Sequence, residues 1–150
     1  METFTLLLGT LGLGLMVALP GAGSAIALSR TSLAVIGALY KRKDAFGNLM
    51  VLAALPASQG LYGFVGYTLY SANAAASMSP FAATITFAAG LMVGIVCFYS
   101  ALNQADICVG GITAIAGGHN LFANTLILAA FPEFYAILSL VAAILMGNLI

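Results

Sequence analysis

The chain has 150 residues, of which 63% are hydrophobic and 5% charged, and its formal net charge is zero. A water-soluble domain carries about a quarter charged residues; here there is too little polar surface to cover a globule in water, and the bilayer is the solvent that suits the composition. The eight charges are Glu2, Arg30, Lys41, Arg42, Lys43, Asp44, Asp106 and Glu133, with no basic track that would serve nucleic acid.

The first apolar stretch covers about residues 3–39. It begins with Glu2 rather than a basic residue and is far longer than the apolar region of a secretory signal, so it reads as a retained helix. Gly14, Ala18 and Ala22, and Gly21 with Ala25, place small residues four apart, as do Gly90 and Gly94 further on. In lipid such spacing lets helix backbones approach closely, which predicts an inner, tightly packed layer made by the first and third helices. Lys41-Arg42-Lys43-Asp44 ends the first stretch and a second covers 45–70. A segment rich in Ser, Ala and Asn, 71–80, closes on Pro80. The third stretch covers 81–116, Gly117-Gly118-His119-Asn120 interrupts, and the fourth covers 121–149. A spanning helix needs ~20 residues, so the longer stretches tilt or project beyond the bilayer. Cys97 and Cys108 lie inside apolar runs without a pairing pattern and read as small packing residues.

The two halves repeat. Gly14-Leu15-Met16-Val17 recurs as Gly90-Leu91-Met92-Val93. Phe46, Asn48, Leu52, Ala53, Ala54 and Pro56 recur as Phe122, Asn124, Leu128, Ala129, Ala130 and Pro132, and the step from 46 to 122 equals that from 14 to 90. Two separate blocks sharing one offset indicate a duplicated helical hairpin. The expected fold is therefore an all-α membrane protein of four transmembrane helices, a single membrane domain with hairpin one at 1–73 and hairpin two at 77–150. Three of the four basic residues fall in 41–43, which puts that loop in the cytoplasm. The repeat puts loop 117–120 on the same side and both termini on the other.

Ionisable side chains within a bilayer are costly and mark function. From Asn120 to Glu133 the chain climbs about 20 Å along a helix. Gln104 precedes Gly117 by the same interval, and Gln59 follows Asp44 by nearly the same one, so three polar groups on three helices share one depth. Leu55, Ser58, Gln59 and Tyr62 follow the spacing of one helix face. Pro56 and Pro132 each remove a helical N–H just before this level, freeing the carbonyl of Leu52 or Leu128 in the simplest geometry and exposing neighbours such as Leu55. The result is a set of oxygens around one carboxylate. Hard cations take oxygen ligands and one carboxylate balances one monovalent charge, which suits Na+. A proton is the other candidate, because an acid removed from water favours its neutral form. Tyr135 invites the same reading as Tyr62 or simple packing, and His119 is a lone loop histidine. Arg30 and Asp106 are equivalent in the repeat and are expected to pair or to snorkel toward the interface. Glu133 corresponds to Ala57 and Gln104 to Leu28, so only the second hairpin carries the acid and one chain should carry one ion.

Leu55-Pro56-Ala57-Ser58-Gln59-Gly60-Leu61-Tyr62-Gly63, Gln104 after Ser100-Ala101-Leu102-Asn103, and Pro132-Glu133 resemble the proteolipid (c-type) rotor subunits of V-type ATPases, in their sodium-translocating bacterial branch. The resemblance extends over the whole chain. It implies that the Leu55 carbonyl, the Ser58 hydroxyl, Gln59, Gln104 and Glu133 hold Na+, and that Tyr62 hydrogen-bonds the acid. Ser58 stands where threonine is common, and keeps the hydroxyl. The resemblance further implies a ring of copies with the first and third helices inside and the others toward lipid. A stator membrane subunit would displace the ion with an essential arginine, and central-stalk subunits would meet loops 41–44 and 117–120. ATP turnover would belong to partner subunits, this chain being a non-catalytic, multi-pass component of the cell membrane. The rival readings are the same ring carrying H+ and a small four-helix transporter of cationic drugs. Such transporters place their acid in the first helix and lack the duplication.

Overall fold

The structure is a computed structural model that describes residues 2–72 and 78–150. Helix α1 spans Glu2–Leu39, and a short 3-10 turn follows at Lys43–Ala45. Helix α2 (Phe46–Ala54), a 3-10 turn (Leu55–Ala57) and helix α3 (Ser58–Ser71) run on as one span. Helices α4 (Pro80–Ala116) and α5 (Phe122–Gly147) complete the chain. Among the described residues, four helical spans are long and apolar enough to cross a membrane. At 38 and 37 residues, α1 and α4 would each measure about 55 Å at 1.5 Å per residue, well beyond a hydrocarbon core of about 30 Å. The helices begin and end with the apolar stretches. Positions 73–77 of the expected inter-hairpin link, including both hairpin boundaries drawn from the repeat, lie outside the described residues.

Local chemistry sets the helix ends. Ser79 caps α4, its hydroxyl accepting from the Ala82 N–H at 3.1 Å, and Pro80 follows at the first helical position, where its missing N–H costs nothing. At the other end Gly117 and Gly118 terminate α4, with Gly118 at φ +93°, a conformation that favours glycine. In the loop after α1, Arg42 pairs with Asp44 at 2.7 Å. The hydrogen bond and charge of Asp44 push the Arg42 pKa still higher, so it is a fixed cation there.

The most extensive helix–helix interface is α1 against α4. It is close because both sides are glycine: a Cβ on Gly90 would overlap the Gly12 carbonyl, and one on Gly12 would lie 2.5–2.7 Å from backbone atoms of Thr86 and Phe87. Gly63 of α3 meets the Met16 carbonyl and Pro20 of α1 in the same way. The expected small-residue layer is thus only partly used within one chain. Gly90 and Gly94 contact α1, whereas Gly14 and Gly21 face open space and Ala18, Ala22 and Ala25 are exposed. The glycine that does meet Gly90 is Gly12, because it lies on the α1 face turned toward α4.

Two buried clusters flank the mid-level. One, toward the 41–44 loop, contains Val35, Leu49, Leu52, Cys108, Ile112 and Ala129. The other contains Met16, Tyr70, Val93, Cys97 and Ala136. Tyr70 is 2% exposed and its hydroxyl donates to the Ala143 carbonyl at 2.6 Å, which satisfies its one polar atom. Both cysteines are free and buried, as their sequence context predicts. Large apolar side chains such as Leu61, Phe64, Phe131 and Leu138 point outward, the surface expected of a chain whose surroundings are lipid or another chain.

Candidate functional site

Pro56 and Pro132 each withhold an N–H from the helical ladder, and near each of them a side chain of α1 or α4 reaches a backbone carbonyl. In hairpin one the Thr31 hydroxyl donates to the Ala53 carbonyl at 2.8 Å. In hairpin two the Gln104 amide donates to the Ala129 carbonyl at 2.9 Å. Ala53 and Ala129 are repeat-equivalent; the side chains that reach them are not. The capped carbonyls lie one residue past those of Leu52 and Leu128, the positions that the missing N–H of Pro56 and of Pro132 leaves without a ladder donor. The 3-10 turn at Leu55–Ala57 tightens the chain after Pro56. There the Leu55 carbonyl accepts both the Ser58 backbone N–H and, at 3.1 Å, the Ser58 hydroxyl. Past the turn, the Gly60 N–H donates to Ser24 Oγ at 2.9 Å.

Glu133 sits half-buried at the centre of the polar level. The Tyr62 hydroxyl donates to its Oε1 at 2.7 Å and Gln104 Nε2 to its Oε2 at 3.1 Å. Gln59 and Gln104 are both fully buried. Gln59 Nε2 donates to Gln104 Oε1 at 3.0 Å and to Ser100 Oγ at 3.2 Å. The Ser100 hydroxyl spends its own proton on the Pro132 carbonyl at 2.8 Å. It therefore presents a lone pair to Gln59, and this fixes the Gln59 amide with nitrogen toward Ser100. The other end of that amide, Oε1, is a buried side-chain oxygen with no hydrogen-bond partner among the described residues. An unmatched buried acceptor costs about 1–3 kcal/mol, so this oxygen is open to a hydrogen-bond donor or a cation.

Of the residues singled out from sequence, Gln59, Tyr62, Gln104 and Glu133 join one continuous network across α3, α4 and α5. Leu55 and Ser58 bond each other at the turn preceding Gln59. Tyr135 is 68% exposed. Arg30 and Asp106 do pair, at 3.3 Å, with side chains 48% and 66% exposed. Sequence reasoning missed Ser100 as the residue that orients Gln59. Its signal was present: Ser100 is one helical turn before Gln104 and equivalent to Ser24 in the repeat. Thr31 left no comparable signal, because its partner carbonyl is set by packing.

The fold and this level together define a membrane-embedded protein of two duplicated hairpins with one carboxylate held by buried amides. Comparison with known sequences agrees. The family model of the ATP synthase C subunit matches twice, over residues 11–69 and 87–146, and the two matches begin one repeat offset apart. The chain is 35% identical over 141 residues to the A-type ATP synthase subunit K of Methanocaldococcus jannaschii, covering 94% of this chain and 62% of that protein. It is 31% identical over 126 residues to the V-type sodium ATPase subunit K of Enterococcus hirae, covering 84% of this chain and 81% of that one. The chain belongs to the ATP synthase C-subunit family. It spans less than two thirds of the length of the first of these relatives.

Proposed function

We propose that this chain is the ion-carrying rotor subunit of a rotary membrane ATPase, and that it carries one Na+ per chain on Glu133. The observation that carries the reading is the buried, unpartnered Gln59 Oε1 in the network that ends on Glu133. A small cation there would be balanced by the carboxylate and approached by Gln59 Oε1 and by the remaining lone pairs of Gln104 Oε1 and Ser58 Oγ. The Leu55 carbonyl joins only if the Ser58 hydroxyl lets go of it, since it already accepts two donors. Gln59 Oε1, Ser58 Oγ and the Glu133 carboxylate make an oxygen-rich set, which supports a metal cation over a proton. The similarity to a sodium ATPase subunit supports the same choice.

The mechanism follows from solvation. A bare carboxylate cannot travel along a lipid-facing arc without a penalty of several kcal/mol, whereas a neutral ion–carboxylate pair can. Copies of the chain would form a ring, and rotation past a stator subunit bearing a cationic arginine would empty and refill Glu133. ATP turnover and the central stalk would belong to partner subunits, the stalk meeting loops 41–44 and 117–120. The basic residues 41–43 support a cytoplasmic side for those loops; an impermeant thiol reagent that reached Lys41→Cys only from outside would reverse this orientation. Family membership sets aside the small drug transporter.

Carbodiimide labelling tests the site. Glu133 should react at neutral pH and be protected by sodium, while Glu133→Gln should remove both the labelling and ion transport. Protection that follows pH and ignores sodium would make the cargo a proton. Transport surviving in Glu133→Gln would end the reading altogether.

A further inference from the structure

The ion pair Arg30–Asp106 has a property that only a duplicated chain can have. Its members are separated along the chain by the repeat offset itself. They are the same position of the two hairpins, with opposite charge. Within one chain hairpin one packs on hairpin two. In a ring, hairpin two of one copy meets hairpin one of the next, and the duplication makes these junctions alike. A contact between a residue of hairpin one and a residue of hairpin two then recurs between their repeat equivalents, the first now in hairpin two of one copy and the second in hairpin one of the next. Applied to Arg30–Asp106, this rule returns Asp106 against Arg30 of the next copy.

Observed contacts support the rule. Gly90 meets Gly12 within the chain, which maps to Gly14 against Ala88 of a second copy, and both are exposed. Gly94 meets Leu19, which maps to Ala18 against Ile95, and both are exposed. Gly23 meets Phe98, which maps to Ala22 against Tyr99, the latter 60% exposed. The small residues left outward on α1 thus find complements left outward on α4, Ala88, Ile95 and Tyr99.

We infer that a second copy of this chain seats on this face and that Arg30 and Asp106 form a closed belt of alternating charges, each carboxylate held between two guanidiniums and each guanidinium between two carboxylates. The inference rests on the ring reading above. Both residues lie about 16 Å along the helix from their loops, deep enough that a charge needs full compensation. The single pair leaves them half and two-thirds exposed; the belt gives each a second partner, with no net charge. The Glu133 level obeys the same rule with a different result: the next junction offers Ala57, so no second acid arises there.

Charge reversal separates a belt from a pair confined to each chain. Arg30→Asp/Asp106→Arg preserves alternation within its own ring and within its own chain. Beside an unaltered copy it sets Asp106 against the introduced aspartate and Arg30 against the introduced arginine. Tagged reversed chains, co-expressed with untagged unaltered chains and purified in mild detergent, should form rings of their own. Recovery of unaltered chains should fall to the level of an untagged control, whereas tagged unaltered chains should recover them fully. Free mixing overturns the belt, as does a reversed chain that forms no ring while the unaltered chain does. If the unaltered chain itself forms no ring, the ring reading fails, and the belt fails with it.

Discussion

Tyr62 reaches Glu133 through a single hydroxyl at 2.7 Å, and Gln104 reaches it from the other side. Hydrogen bonds to a charged group contribute about 1.5–3 kcal/mol. Tyr62→Phe keeps the ring and deletes the bond, so roughly ten- to a hundredfold more sodium should be needed for half-protection of Glu133 from carbodiimide. An unchanged midpoint would show that Tyr62 only fills space. At this scale the sequence was readable where chemistry alone decides: a carboxylate, two glutamines and a tyrosine at one depth in lipid have few reasons to be there. It was silent where packing decides. Nothing in the order of residues says that Thr31 caps Ala53 while Gln104 caps Ala129, because both depend on which face of α2 and α5 turns inward. Ser100 lay between these cases, visible as a turn-spaced neighbour of Gln104 but without an evident partner.

Among the elements, α1 and α4 illustrate how little side chain a close helix pair tolerates. Gly90→Ala would drive a methyl group into the Gly12 carbonyl. Backbone cannot yield as a flexible side chain can, so overpacking should cost about 1–3 kcal/mol and lower the unfolding midpoint in mild detergent by several degrees. Gly37→Ala, on the same long α1 but facing open space, should be neutral or slightly stabilising, since alanine is the better helix former by up to about 1 kcal/mol. Equal midpoints for the two variants would mean that the α1–α4 approach is looser than it looks. Helix number and extent were legible because apolar runs and their breaks record them directly. The 3-10 turn at Leu55–Ala57 was foreshadowed only by Pro56, and Pro132, its counterpart, lies within an unbroken α5. The same residue at equivalent positions gives two local geometries, and different side chains reach the carbonyls nearby, Thr31 that of Ala53 and Gln104 that of Ala129.

For the whole molecule, the repeat offset organises nearly everything described above. It shows in the sequence blocks, in the two family matches and in the Arg30–Asp106 pair. What the repeat could not reveal was which small residues face inward, since Gly12 and Gly14 differ only by a rotation of the helix. One atom has a consequence for the entire fold. Gln59 Oε1, buried without a hydrogen-bond donor among the described residues, carries a cost that the proposed cation would relieve. A cargo that satisfies it shifts the folding equilibrium as any ligand of the native state does, by about 2.7 kcal/mol at a hundredfold excess over its dissociation constant. Heating the protein in sodium and in a bulky organic cation at equal ionic strength should show melting that rises with sodium alone. The transported species would then double as part of the carrier's own architecture.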